Sequence, residues 1–67
     1  MSVARVTEIT STSKKSFKDA MEEGIERAAK TLENITGAWI ANQELVVSDG
    51  KIKEYRVRMK VTFVLMG

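Results

Sequence analysis

The chain has 67 residues, a net charge of +2, and 43% hydrophobic and 30% charged residues, which is typical of one small folded domain spanning residues 1–67. It contains neither Cys nor His, which excludes disulfides, the usual zinc ligands, thiol nucleophiles and His-based triads. We therefore expect a protein that is not an enzyme and whose small core is stabilised by other copies.

The first two predicted elements are a strand and a helix. Residues 3–10, VARVTEIT, are rich in β-branched side chains and predict a strand. Residues 11–13, Ser-Thr-Ser, are typical of a helix N-cap. Residues 14–34 predict an amphipathic helix because apolar or small residues recur with a period of 3.6. The residues of this stripe are Phe17, Ala20, Met21, Gly24, Ile25, Ala28, Ala29 and Leu32.

One residue of this stripe, Gly24, predicts a close contact. A glycine inside a helix costs roughly 1 kcal/mol relative to alanine, so we expect another backbone to pack against this position.

Two further strands with a tight turn follow the helix. Residues 38–48 and 51–66 predict strands, and Asp49-Gly50 between them predicts a type I′ hairpin turn, which needs positive φ at both central residues. The last strand alternates cleanly. One face carries Tyr55, Val57, Met59, Val61, Phe63 and Leu65. The other carries Glu54, Arg56, Arg58, Lys60 and Thr62.

These elements predict an α+β fold with β-α-β-β order. A right-handed crossover leaves the first two strands pointing the same way, and the hairpin makes the third strand antiparallel to the second. We therefore expect the third strand between the other two, in a three-stranded antiparallel sheet of order two-three-one with the helix on its apolar face. The third strand would reach roughly 50 Å at ~3.3 Å per residue. The helix reaches only about 30 Å at 1.5 Å per residue, so the rest of the sheet needs other subunits.

The chain resembles the dodecin family over nearly its whole length. The resemblance lies in the first strand and the segment STSKKSF at 11–17, the single amphipathic helix with Ala28 and Leu32 near its end, the turn at 49–50, and YRVRMKVTF at 55–63. It implies a hollow homo-dodecamer. It also implies a storage role for flavins, riboflavin or FMN, held in pairs at subunit interfaces without catalysis.

The resemblance also identifies candidate flavin-binding positions. Family flavin binders stack a Trp at the start of strand two on the flavin ring and use a Gln in strand three to bond its edge. Here Gly37 occupies the Trp position and Arg56 the Gln position, while Trp39 lies two residues further on. Residues i and i+2 share a strand face, so Trp39 would serve the same interface; a two-residue shift of strand two would also restore the stacking position. Filling a subunit interface is the commoner role for such an aromatic residue.

A branch of the family lacks this Trp, carries Arg at the Gln position and is associated with calcium, and this chain is most similar to that branch. The residues responsible for a metal site are not identified by the sequence, and calcium binding without flavin is an alternative. The helix offers carboxylates at Asp19, Glu22, Glu23 and Glu26, although a solvated helix face is the commoner interpretation. A cation would lie on a symmetry axis where acidic residues from several subunits meet.

The remaining expectations concern partners and location. No apolar run approaches the ~20 residues that span a bilayer, and the N-terminus lacks the basic-then-apolar pattern of a signal peptide, so we expect a cytoplasmic protein without a membrane partner. Arg56, Arg58 and Lys60 suggest weak nucleic-acid binding as a further alternative. A solvated or ion-paired strand face is the commoner interpretation of these three residues, and the net charge of only +2 argues against a nucleic-acid partner.

Overall fold

The computed structural model describes residues 2–66, so Met1 and Gly67 of the predicted single domain lie outside the described residues. The elements of residues 2–66 are β1 Val3–Ser13, α1 Phe17–Ala28, β2 Ile35–Ser48 and β3 Lys51–Leu65. The three strands form one antiparallel sheet in the order β1-β3-β2, and the helix lies between β1 and β2 in the chain. The predicted β-α-β-β order and central third strand are confirmed.

The start of the helix differs from the prediction. Strand β1 runs through Ser13, so the hydroxyl cluster at 11–13 pairs with β3 and does not cap the helix. The N-cap is Ser16, whose Oγ accepts a hydrogen bond from the Asp19 N–H at 2.9 Å. Ser13 is buried; its hydroxyl donates to the Asp19 carboxylate at 2.6 Å and accepts from the Lys15 N–H at 2.9 Å. These bonds fix the turn from strand to helix.

The helix also ends six residues earlier than predicted. After Ala28 the chain tightens, with the Lys30 N–H bonded to the Arg27 carbonyl at 3.2 Å and the Thr31 N–H to the Ala28 carbonyl at 3.1 Å. Asn34, five residues beyond the C-cap Ala29, then takes a positive φ of 61°, a conformation that asparagine tolerates. Its carbonyl accepts from the Val64 N–H at 3.0 Å, which directs the chain onto β3.

The core lies between α1 and the middle of β3. Val57, Met59 and Val61 are at most 1% exposed, and Ala20 of the helix is fully buried in one cluster with Val57 and Met59. The apolar face predicted for the third strand is thus confirmed in its central part. Partly buried side chains surround this cluster, namely Ile9, Phe17, Met21, Ile25 and Ile40.

Gly24 lies where the helix approaches the sheet most closely. A Cβ atom at this position would be 2.6 Å from Met59 Cε and 2.9 Å from Ser11 Cβ. The predicted close contact is present, but its partners are two side chains and not another backbone. An alanine would raise the helix propensity at this position, but its Cβ would clash with these two side chains unless they shift.

The hairpin that joins β2 and β3 has the predicted turn. Asp49 and Gly50 have φ values of 54° and 71°, as a type I′ turn requires. Strand β2 begins three residues earlier than predicted, and its register against β3 shifts at three places: 35/37, 40/42 and 46/47. These bulges determine which face each side chain of β2 occupies.

The helix covers only the middle of the sheet. The molecule extends 51 Å, whereas twelve helical residues span about 18 Å, so the predicted mismatch between strand and helix is confirmed. Large apolar side chains stay exposed near both ends of the sheet and on its uncovered face. They are Val3, Val6, Trp39, Leu45, Val47, Ile52, Leu65 and Met66. Within residues 2–66, no helix has the length and hydropathy needed to cross a membrane.

Candidate functional site

The sheet face turned away from α1, here called the open face, carries all three predicted site residues. Residues directly opposite each other on neighbouring strands share a face, so the register assigns each side chain. Lys60 of β3 lies between Glu8 of β1 and Trp39 of β2. Farther along the strand, Arg56 lies opposite Glu44, and Gly37 lies opposite Thr62 on the other side of Lys60.

Trp39 is a large, exposed apolar side chain of the open face and lies on the edge strand β2. Its side chain is 50% exposed, and the Lys60 Nζ atom lies 6.0 Å from the centroid of its ring. Gly37, two residues earlier on the same face, has no atom within 4 Å of the place where a Cβ would be. An indole face beside open space is suited to stacking on a planar ligand, and an ammonium group borders the same surface.

The two arginines of the open face are paired with carboxylates. Arg56 Nη1 lies 3.2 Å from Glu44 Oε1, and Arg58 Nε lies 3.9 Å from Glu8 Oε1. All four side chains are between 39% and 52% exposed, so each pair contributes little to stability. The pairs nevertheless neutralise most of the basic surface that the sequence predicted.

The structure brings two of the three predicted site residues together. Gly37 and Trp39 are neighbours on one face of β2, beside Thr62 and Lys60. Arg56 lies on the same face but four residues from Lys60 along β3, about 13 Å at the usual rise. Within one chain, therefore, Trp39 and Arg56 do not line a common pocket.

The carboxylates proposed for a cation lie along one side of the helix, at the spacing i, i+3, i+4 and i+7, but do not converge on one point. Glu22, Glu23 and Glu26 are exposed, and one oxygen of Asp19 accepts the Ser13 hydroxyl. Across residues 2–66, no group of three or more acidic side chains is placed to hold a metal ion. A calcium ion, which takes six to eight oxygen ligands, would need carboxylates from more than one copy.

The sequence did not predict three contacts on the open face: Lys60 beside Trp39, Glu44 beside Arg56 and Glu8 beside Arg58. The signal for the first was present. Counting outward from the Asp49-Gly50 turn places Trp39 opposite Lys60, as observed. The same count places Glu44 opposite Tyr55, on the helix side of the sheet, whereas it lies opposite Arg56. The bulges near residues 41 and 53 shift the register by one residue, but only for the segment between them.

Comparisons with known proteins agree with this architecture. The family model described as Dodecin matches residues 3–66. The calcium dodecin of Mycobacterium tuberculosis is 38% identical over 64 residues, covering 94% of this chain and 89% of that protein. The structure of a dodecin from Streptomyces davaonensis superposes with a TM-score of 0.93 and 35% identity, covering 98% of this chain and 97% of that one.

A solved structure of the M. tuberculosis calcium dodecin, described as calcium chelating with a novel calcium-binding site, also matches. Its TM-score is 0.84 with 28% identity, covering 96% of this chain and 91% of that one. This identity comes from superposed structures, and the sequence alignment, at 38%, is the better measure of relatedness. The predicted resemblance is confirmed: this chain belongs to the dodecin family.

Proposed function

We propose that this chain is a non-enzymatic binding protein that assembles from identical copies, twelve in the dodecin pattern, around small-molecule sites. Support for assembly comes from the apolar side chains at the ends of the sheet. Val47 and Ile52 of the hairpin are 58% and 52% exposed, and the opposite end exposes Val3 and Leu65. A 67-residue chain buries little apolar surface on its own, so its stability as a monomer is marginal. Contact with other copies would bury these exposed side chains and add to that stability.

The proposed ligand is a flavin, riboflavin or FMN, held for storage and stacked on Trp39 at an interface between copies. The observation that carries this proposal is the half-exposed indole beside the open space at Gly37. Stacking on an indole needs only a planar ring and an accessible face, so the two-residue displacement from the family's Trp position is compatible with binding. About 13 Å along the strand separates Arg56 from this surface, so Arg56 would reach the ligand only from a second copy.

Calcium is the second candidate ligand, and the related calcium dodecin favours it. In this proposal the exposed carboxylates of α1, among them Glu22, Glu23 and Glu26, meet their counterparts from other copies around the ion. Flavin and calcium would use different surfaces, the open face and the helix, so the two proposals can be tested separately.

Nucleic-acid binding through the basic strand has less support. Two of the three cations on the open face, Arg56 and Arg58, lie beside Glu44 and Glu8. A phosphate backbone would have to displace both carboxylates and would meet an overall charge of only +2.

Size-exclusion chromatography with light scattering and an absorbance spectrum tests the main proposal in one run. We expect a mass of about 90 kDa for twelve copies of the 7.5 kDa chain, and a flavin spectrum after addition of riboflavin. A monomeric mass would contradict the assembly, and a peak without flavin absorbance would contradict the ligand. For calcium, thermal unfolding with and without a chelator is the test, and an unchanged melting temperature would count against binding.

A further inference from the structure

We propose that Lys60 makes the Trp39 surface selective for planar ligands that carry a negatively charged group, so that a phosphorylated flavin binds more tightly than an uncharged one. This inference rests on the proposed stacking of a flavin on Trp39. It adds a specificity residue that lies outside the three positions named from the family pattern.

The two arginines of the open face pair with carboxylates, whereas Lys60 has no such pair in the described part of the chain. Glu44 lies 3.2 Å from Arg56, and Glu8 is placed 3.9 Å from Arg58 although its cross-strand neighbour is Lys60. Among residues 2–66, the ion pairs closer than 4.0 Å do not include Lys60. An anionic ligand approaching this face therefore meets the Lys60 ammonium, which is not in an ion pair with a carboxylate of the described chain.

The Lys60 ammonium borders the Trp39 ring. The Lys60 ammonium lies 6.0 Å from the centroid of the Trp39 ring, at the outer limit of a cation–π contact. Little interaction energy is therefore lost when the ammonium leaves the ring to bind a ligand. The four-carbon stem of lysine is flexible, and the ammonium can move from above the indole to the edge of a ring stacked there. At Gly37, on the same face, no side chain stands beside the indole, and no atom lies within 4 Å of the place where a Cβ would be.

The Lys60 ammonium can donate hydrogen bonds to an anionic group. An ammonium group offers three donors to phosphate or carboxylate oxygens, and such charge-assisted hydrogen bonds are about twice as strong as neutral ones. An uncharged ring would gain the stacking on Trp39 but not this bond. The contribution of Lys60 should therefore appear as a preference between ligands and as a dependence on salt.

Riboflavin and FMN test this directly because they share one ring system and differ by a phosphate. Each is titrated into the assembled protein, with quenching of flavin fluorescence as the signal. We expect the wild type to prefer FMN, Lys60→Met to weaken FMN binding roughly tenfold, and riboflavin binding to stay unchanged. Lys60→Arg should retain the preference. Lys53→Met, an exposed lysine on the same strand about 23 Å away, is the matched control and should change neither affinity.

A second readout does not require flavin. Trp39 is the only tryptophan in the chain, so intrinsic tryptophan fluorescence reports on this surface alone. Iodide, an anion, should quench Trp39 less in Lys60→Met than in the wild type, whereas quenching by neutral acrylamide should be equal.

The outcomes separate this inference from the proposed function. If Lys60→Met weakens riboflavin and FMN equally, or neither, Lys60 does not select the anion and the inference is wrong while flavin binding stands. If the wild type binds neither flavin, both the proposed function and the inference fail.

Discussion

The two faces of β3 are built from alternate residues of one strand and differ in burial. On the helix side, Val57, Met59 and Val61 are almost completely buried against α1. On the open face, Arg56, Arg58 and Lys60 are partly exposed and meet carboxylates or an aromatic ring. A strand at the centre of a one-helix sheet thus has one face for stability and one available for binding.

This difference predicts where substitutions act. Burial of apolar atoms is worth about 1.5–3 kcal/mol for a whole side chain, whereas an exposed ion pair contributes at most about 1 kcal/mol. Changes on the helix side should therefore unfold the subunit. Changes on the open face should alter binding with little effect on stability.

The largest effect is expected for Met59→Ala. Removing this buried side chain leaves a cavity between α1 and the sheet and should lower the free energy of unfolding by about 2–5 kcal/mol. Arg58→Ala, on the adjacent position of the same strand, is the control and should cost less than about 1 kcal/mol. Urea denaturation at one fixed protein concentration measures both. Equal losses would show that the two faces do not differ in the way described.

A second substitution breaks the assembly through the uncovered hairpin end. Val47→Lys places a charge on a side chain that is exposed in one subunit and buried in the proposed interface. We expect the mass from light scattering to fall while the far-UV spectrum keeps its strand signal. Val47→Ile should leave the mass unchanged. A Val47→Lys protein with the wild-type mass would place the interface elsewhere.

Gly24→Ala should have an intermediate effect. Alanine favours the helix by about 1 kcal/mol, but its Cβ would lie within 3 Å of Met59 Cε and Ser11 Cβ. The Met59 terminus can move, whereas Ser11 Cβ is fixed to the strand. Overpacking of this kind costs about 1–3 kcal/mol, so after the gain in helix propensity we expect a net loss of up to about 2 kcal/mol. The double variant with Ser11→Gly removes this obstacle and should recover part of the loss in thermal unfolding. A stabilised single variant would contradict the close contact.

The smallest effect is expected for Glu44→Gln. This change removes an exposed ion pair with Arg56 and should alter the free energy of unfolding by about 0.5 kcal/mol or less. Denaturation in low and high salt measures the difference, which salt should reduce further. A loss above about 2 kcal/mol would show that the pair is buried in the assembly.

Much of the fold was predictable because local patterns agreed with it. The helical stripe, the alternation of the third strand and the Asp49-Gly50 turn each predicted an element that the structure contains. The ends of the helix were not predictable from periodicity. Ser16 competes with three earlier hydroxyl residues as the cap, and Leu32 continues the apolar stripe beyond the turns that end the helix.

The candidate site was predictable only in part. The face and position of Trp39 follow from counting along the hairpin, because the two intervening bulges offset each other at that point. The partner of Arg56 lies between these bulges, and no alternation in the second strand indicates them. Pairing of Glu8 with Arg58, a diagonal neighbour, depends on side-chain conformations that a residue pattern does not contain.

The open face as a ligand site is tested most directly by titrating riboflavin into the wild type and Trp39→Leu. We expect the wild type to quench riboflavin fluorescence. The variant should lose at least tenfold in affinity with unchanged mass and melting temperature, because stacking on an aromatic side chain is worth roughly 1–3 kcal/mol for a base-like ring. Trp39→Phe should lose less than Trp39→Leu. Equal riboflavin affinity of the wild type and Trp39→Leu, or no binding by the wild type, would show that the open face does not bind flavin through Trp39.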